Sequence, residues 1–304
     1  MNKLLPLMQR EWLQHRFGWM LMAGIPLGIA ALLLAFGHLE IDGDKAERIG
    51  NGLPAMLAMA AIAGSGAVLF IIAVVSSLII VAGTARRDHA DRSVEFWLSL
   101  PTTHSATLAA PLIVHLLLVP AAALLIGMCG GALLSMLVVG RVVGLGAWFA
   151  LPWGQLLPAV ASIATRLLAG LPLAMLWLSP LILLVVLLSA WFRRWAWVIL
   201  GVGLGLGGQL LDRLFGQPLL SQVTLGLLKH AGQALTSAGQ GLTFGSDTPD
   251  PLAALQAVPG WAAHDLGLAL RDLASPLLAG GLLFAAACFY LLVLWRQRGA
   301  GAAG

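Results

Sequence analysis

Charge is scarce in this sequence. Only 17 Lys and Arg and 13 Asp and Glu occur among 304 residues, while hydrophobic residues make up 60%. A soluble globular domain carries roughly 25% charged and about 45–50% apolar residues. So few charges cannot cover the surface of a soluble chain of this size, and lipid is the solvent that suits the composition. Cysteine is nearly absent as well. Cys129 and Cys288 both sit inside apolar runs, which leaves no disulfide framework and no metal-ligand spacing. They read as small buried hydrophobes.

Enzyme signatures are missing too. No HExxH helix face and no GxSxG elbow occurs, which removes the usual zinc-protease and serine-hydrolase readings. Residues 201–208, GVGLGLGG, are glycine-dense but lie inside an apolar run with no Lys-Ser/Thr after them. The spacings Gly201/Gly205 and Gly203/Gly207 match small-xxx-small helix packing instead. With no P-loop anywhere, the chain cannot bind ATP in the Walker manner. Its net charge of +4 is dispersed in short clusters beside apolar segments. That is the pattern of membrane topology, not of nucleic-acid binding.

What is present is a series of long apolar runs. A spanning helix needs about 20 predominantly apolar residues, and six segments are expected to span: 17–37, 61–84, 108–137, 167–190, 195–211 and 276–295. The run from Phe17 to Gly37 is too long for a signal-peptide core, and His38, Leu39 and Glu40 follow it where a small-residue cleavage site would stand. It reads as a retained first span. The third segment holds Pro111 and Pro120 and is expected to be tilted, or broken near Pro111. Residues 142–164 carry no charge either. Counting them as a span would put Arg193, Arg194, Arg296 and Arg298 outside, against the charge bias. Trp148, Phe149 and Trp153, with Pro152 and Pro158, suit an interfacial or re-entrant segment there.

Orientation follows from the bases. With the N-terminus inside, Lys3, Arg10, Arg16, Arg86, Arg87, Arg92, Arg193, Arg194, Arg296 and Arg298 are cytoplasmic, in short and basic-dense loops. The remaining Lys and Arg lie outside among a larger number of acids. This bias places both termini in the cytoplasm. Trp191, Trp195, Trp197 and Trp295 stand beside the inner arginines as interfacial anchors.

Four parts lie outside the expected spans. Residues 1–16 form an expected amphipathic interfacial helix, with Leu4, Leu5, Met8 and Trp12 at helical spacing. The outer loop 38–60 mixes Glu40, Asp42, Asp44 and Glu47 with Lys45 and Arg48 and reads as solvated. The long outer region 212–275 is expected to hold short helices on the outer membrane surface. Leu220, Val223, Leu227, Ala231 and Leu235 mark one face, and Leu266, Leu270 and Leu273 another.

The loop at 85–107 is the most charged stretch, yet it also carries Val94, Phe96, Trp97, Leu98 and Leu100. Val94, Trp97 and Leu98 share one helical face, and Pro101 ends that helix. Thr102, Thr103 or Ser105 can cap the next one. A short helix with an aromatic face and charged flanks suits docking to a cytoplasmic partner. The expected spans contain no Asp, Glu, Lys or Arg, so they lack the intramembrane carboxylates common in ion-coupled transporters. His115 is their one titratable group and reads as a helix-packing histidine. A transporter-like body without an energy source points to a separate ATPase.

The run Arg92-Ser93-Val94-Glu95-Phe96-Trp97-Leu98-Ser99-Leu100-Pro101 resembles the loop between the second and third spans of ABC transporter permeases of the type-2 exporter class. The layout is similar too: amphipathic N-terminal helix, six spans, inside termini and a long outer region before the last span. The resemblance implies an all-α membrane protein in which 17–304 form a single permease domain in the bacterial inner membrane. It implies a coupling helix at roughly 88–100, with Arg92, Val94, Glu95, Phe96, Trp97, Leu98, Ser99, Leu100 and Pro101 touching the ATPase. It also implies pairing with a second copy or a sister permease. The chain itself would hold no cofactor and no metal; ATP and Mg would be bound by the ATPase subunit. Where the family often has a basic residue after the proline, Thr102, Thr103 and His104 stand here. The cargo expected of such apolar spans is lipid-like, peptidic or amphiphilic. The alternative is a non-transport membrane anchor or sensor that recruits a cytoplasmic protein through the same 85–107 loop.

Overall fold

A computed structural model describes residues 4–38, 49–84, 104–192, 195–216, 218–237 and 250–301. Every element among them is helical. Helix α1 is Leu4–Phe36. A 3-10 turn at Gly50–Gly52 leads into α2, Leu53–Ala82. Helix α3, His104–Ile113, passes through a π turn at Val114–Leu118 into α4, Val119–Val142. After the short α5, Leu145–Phe149, comes α6, Trp153–Phe192. The rest of the chain forms α7, Ala196–Phe215; α8, Leu219–Leu235; α9, Pro251–Arg271; and α10, Pro276–Gly301.

Five of these are long and apolar enough to cross a membrane: Leu4–Phe36, Gly50–Ala82, Ser105–Val142, Trp153–Phe192 and Pro276–Trp295. Their outer faces are apolar, with Phe17 70% and Leu133 72% exposed. Contiguous apolar surface of that extent is unfavourable in water and natural in lipid. The expected fifth span is not among the five. Helix α7 has 20 residues but carries Asp212 and Arg213 in its last turn, which dilute its hydropathy.

The helices run further than the apolar runs alone suggest. Leu4–Phe36 is continuous, so no break separates the expected interfacial helix at 1–16 from the first span. Backbone hydrogen bonding carries a helix through polar positions where hydropathy falls. Similarly, Trp153–Phe192 is one helix of 40 residues, about 60 Å long at 1.5 Å per residue. It absorbs most of the stretch expected to be interfacial or re-entrant. Only Leu145–Phe149 remains separate, turned by Gly144 at φ 114°, a backbone conformation that favours glycine. Trp148 of that short helix donates its Nε1–H to Ser135 Oγ at 3.0 Å and meets Trp153 edge-on. The third expected span does not break at Pro111. The helix continues and accommodates the prolines with the π turn at Val114–Leu118, an extra-residue insertion often found at functional sites.

Two packing centres organise the body. In the first, α2 and α4 meet backbone to backbone. A Cβ added at Gly127 would stand 2.7 Å from Ser65 O, and one at Gly131 would stand 2.6 Å from Ala61 O. Gly127 and Gly131 form a small-xxx-small pair that permits this approach. The expected small-xxx-small glycines of α7 do no such work: a Cβ at Gly201, Gly203 or Gly205 would meet nothing within 4 Å. In the second centre, α8, α9 and α10 pack along α6. Leu227, Ala231 and Ala234 of α8 and Ala269 of α9 bury against Ala174 and Trp177. The region expected to lie outside therefore forms helices of 17 and 21 residues. Their buried faces are in large part those expected: Leu227 and Ala231 are buried, and Leu235, Leu266 and Leu273 pack against the same cluster. Val223 and Leu270 are exposed, and the inward stripe of α9 runs Leu255, Val258, Ala262, Asp265, Ala269. A carboxylate thus occupies a core position.

Candidate functional site

All nine residues of the expected docking motif, Arg92, Val94, Glu95, Phe96, Trp97, Leu98, Ser99, Leu100 and Pro101, lie outside the described residues. The described part brings together two other polar clusters.

The first is built on α1 and the π turn. Glu11, His15 and Trp19 stand at i, i+4 and i+8 on α1, hence on one helical face. Facing them is His115, fully buried within the π turn. Its Nε2 is 3.4 Å from Glu11 Oε2, and Glu11 is itself buried. The imidazole of His15 lies 5.1 Å from that of His115, and the indole of Trp19 lies 5.6 Å from it, centroid to centroid. One ligand atom from each of Glu11, His15 and His115 falls within 4.8 Å of the others. Two nitrogens here, His115 Nδ1 and Trp19 Nε1, are buried without a hydrogen-bond partner among the described residues. Native proteins satisfy the great majority of such atoms. His115 is buried between helices, as a packing histidine should be, but its acidic partner on α1 was not foreseen.

The second cluster locks three helices at one point. Arg166 of α6 and Asp265 of α9 are each only 2% exposed. Arg166 donates from Nε to Asp265 Oδ2 at 2.7 Å, and its Nη2 is 2.7 Å from the same oxygen. The guanidinium also donates to Ala234 O at 2.7 Å and Gln233 O at 3.3 Å. Both carbonyls belong to the last turn of α8, where helical carbonyls lack intrahelical partners. The other oxygen of Asp265 accepts from the Ser237 hydroxyl and backbone N–H. Gly170 lies one turn from Arg166, and a Cβ there would stand 2.6 Å from Arg166 Nη1. Glycine leaves the room that the guanidinium crosses. Close by, Trp177 stacks on His230 of α8 at 4.4 Å.

Arg141 repeats the device in an exposed setting. From the last turn of α4 it donates to Leu34 O at 2.6 Å and Gly37 O at 3.0 Å, closing the C-terminus of α1. Two arginines of the expected outer side therefore serve as caps for neighbouring helices.

The expected segments themselves hold no charge, but the helices that contain them do. Arg166 lies inside a helix of membrane-spanning length, one residue before the segment 167–190. The signal that could have found it is a lone arginine between apolar stretches with no break residue beside it, in the sequence Ala164-Thr165-Arg166-Leu167-Leu168. Glu11 and Arg141 also belong to helices of this class. Chemically, each nitrogen of the Arg166 guanidinium and both oxygens of Asp265 have a partner, which suits a structural lock. At the Glu11–His15–His115 cluster, His115 Nδ1 and Trp19 Nε1 have no hydrogen-bond partner among the described residues. Comparison with protein-family models, with curated proteins and with solved structures finds no match for this chain.

Proposed function

We propose that this chain is the membrane permease subunit of an ATP-driven, ABC-type exporter, and that its work enters from a separate ATPase subunit. The observation that carries this reading is the run Arg92–Pro101, a charged and aromatic segment between two helices long enough to span a bilayer. No P-loop occurs in the chain, so nucleotide hydrolysis must be supplied by a partner. The reading takes six spans, with α7 as the fifth. Its 20 residues reach about 30 Å, the thickness of the hydrocarbon core. Val198, Val202, Leu206 and Leu210 line its exposed face, which suits contact with lipid. With α7 spanning, both ends of the chain face the cytoplasm of a cell-membrane protein, and residues 88–100 lie on the same side as the ATPase. A second permease copy or a sister permease completes the transport path, and the cargo is amphiphilic.

Glu95 and Trp97 are the residues on which the coupling rests. Glu95→Lys and Trp97→Ala are each expected to uncouple hydrolysis from export while leaving insertion intact. The assay is the ATPase activity and transport of the complex purified with its partner. Normal ATPase binding and coupled transport in both variants would defeat the proposal. A hot-spot aromatic or a buried charge contact commonly carries ~2 kcal/mol or more at an interface, so loss of partner affinity of about 30-fold or more is the expected scale.

A further inference from the structure

We infer that Glu11, His15 and His115 form a binding site for a divalent transition-metal ion, which ties α1 to the π turn of the third membrane-length helix. The inference stands on local geometry and does not rest on the exporter reading. Two imidazoles and one carboxylate are a donor set that zinc accepts, with three protein ligands and an open fourth position. Ligand bonds of about 2.0–2.2 Å place tetrahedral donor atoms roughly 3.4 Å apart, which is the His115 Nε2 to Glu11 Oε2 separation of 3.4 Å. That distance is long for a hydrogen bond and natural for two ligands of one ion. All three donors lie within 4.8 Å of one another, so small side-chain movements bring them onto one centre.

Two further observations set the cluster apart from a chance grouping. The histidine that comes from across the helix interface sits in a π turn, the kind of insertion that re-aims a side chain and recurs at functional sites. The protein alone also leaves the cluster unfinished, because Trp19 Nε1 is buried with no hydrogen-bond partner among the described residues. A ligand on the open metal position would be an acceptor beside an indole N–H that has none. Alkaline-earth ions are disfavoured, since they take oxygen ligands in higher number. Imidazole-rich sites suit zinc, copper, iron and nickel. Glu11 neutralises part of the charge of the ion, with Leu7 and Trp19 buried nearby on the same helix.

The consequence is mechanical. Most of the apolar surface of α1 is exposed, including Phe17, Met20, Leu32 and Phe36. Its buried contacts with the body are the Trp19–Ala23 patch, which packs with Leu69, Ala73, Val114 and Val119, and the Glu11 turn. Metal at Glu11, His15 and His115 would fix the angle of α1 at its N-terminal end.

The test uses the full chain in detergent, carrying no histidine tag and freed of metal by chelation. Calorimetric titration with zinc chloride is expected to show saturable binding of one ion per chain. Titration with cobalt(II) is expected to give the visible absorption of low-coordinate nitrogen and oxygen ligation, abolished by added zinc. Glu11→Gln and His15→Ala should each weaken zinc binding by more than the ~10–100-fold that loss of a merely supporting contact costs. His115 is fully buried and its loss can disturb folding, so His15, at intermediate exposure, is the decisive position. Zinc should raise the thermal midpoint of the unaltered chain and leave that of a folded His15→Ala variant where it was. The inference is overturned if the unaltered chain takes up no stoichiometric zinc, or if its affinity is the same in both variants.

Discussion

Replacing Asp265 by alanine is expected to cost about 3–5 kcal/mol of stability, the scale of leaving one partner of a buried ion pair uncompensated. Arg166 would then hold a full charge at 2% exposure, with only the Ala234 and Gln233 carbonyls to face it. Arg166→Leu should be comparably severe for two reasons. It strands the Asp265 carboxylate, and it removes the donors that close the last turn of α8. The double variant Arg166→Met/Asp265→Leu removes both charges and keeps most of the volume. Buried pairs replaced together by apolar residues are often neutral or even stabilising. Here the α8 carbonyls and the Ser237 hydroxyl lose their partner, so the double variant should lie between the unaltered chain and either single variant. Chemical denaturation in mixed micelles, run as a double-mutant cycle, reads the coupling directly. Additive single effects would show that the pair is not the lock between α6, α8 and α9.

The second large effect is expected at the α2–α4 contact. Gly131→Leu should disrupt the fold, because even its first carbon would stand 2.6 Å from Ala61 O and 2.7 Å from Ile62 Cα. Those are backbone atoms and cannot rotate aside. Overpacking a tight core costs ~1–3 kcal/mol where side chains can yield, and backbone neighbours yield less. Gly127→Leu meets the same obstacle at Ser65 O and Gly66 Cα, at 2.7 and 2.8 Å. Gly205→Leu is the control, since a Cβ there meets nothing within 4 Å. Thermal unfolding in detergent should separate the first two variants sharply from the third. Equal tolerance at Gly131 and Gly205 would refute the close approach of α2 and α4.

That contrast marks the limit of what one sequence discloses. Both glycine sets satisfy the same small-xxx-small spacing, and spacing alone cannot say which face meets a neighbour. The α7 glycines draw the eye because they are denser, yet Gly127 and Gly131, inside a plain apolar run, carry the contact. Hydropathy, by contrast, is a local property. The apolar centres of Leu4–Phe36, Gly50–Ala82, Ser105–Val142, Trp153–Phe192 and Pro276–Trp295 are all legible from composition within a window. The ends are not, since a helix continues as long as its backbone bonds are made. That is how 153–166 joined the apolar run after it and carried Arg166 into the protein interior.

The polar clusters were illegible for a different reason. Arg166 and Asp265 are 99 positions apart, and Glu11 and His115 are 104 apart. Nothing in either neighbourhood names its partner. Asp265 even sits at a core position of its own amphipathic stripe, between Ala262 and Ala269. The apolar reading through Leu266, Leu270 and Leu273 found two residues that pack on the core, Leu266 and Leu273, included the exposed Leu270, and missed the carboxylate beside them. His115 stood out as the lone histidine of its span. Its carboxylate partner lay on a stretch read as interfacial, in the same continuous helix as the first span.

The account depends most on which side of the membrane residues 88–100 occupy. Site-directed labelling decides it, in a background where Cys129 and Cys288 are replaced by alanine. Glu95→Cys should react with a membrane-impermeant maleimide only after the cells are permeabilised, whereas Ser246→Cys, in the outer region, should react in intact cells. Labelling of position 95 in intact cells, with position 246 protected until permeabilisation, would contradict the inside placement of the docking segment and with it the proposal that an ATPase drives this chain.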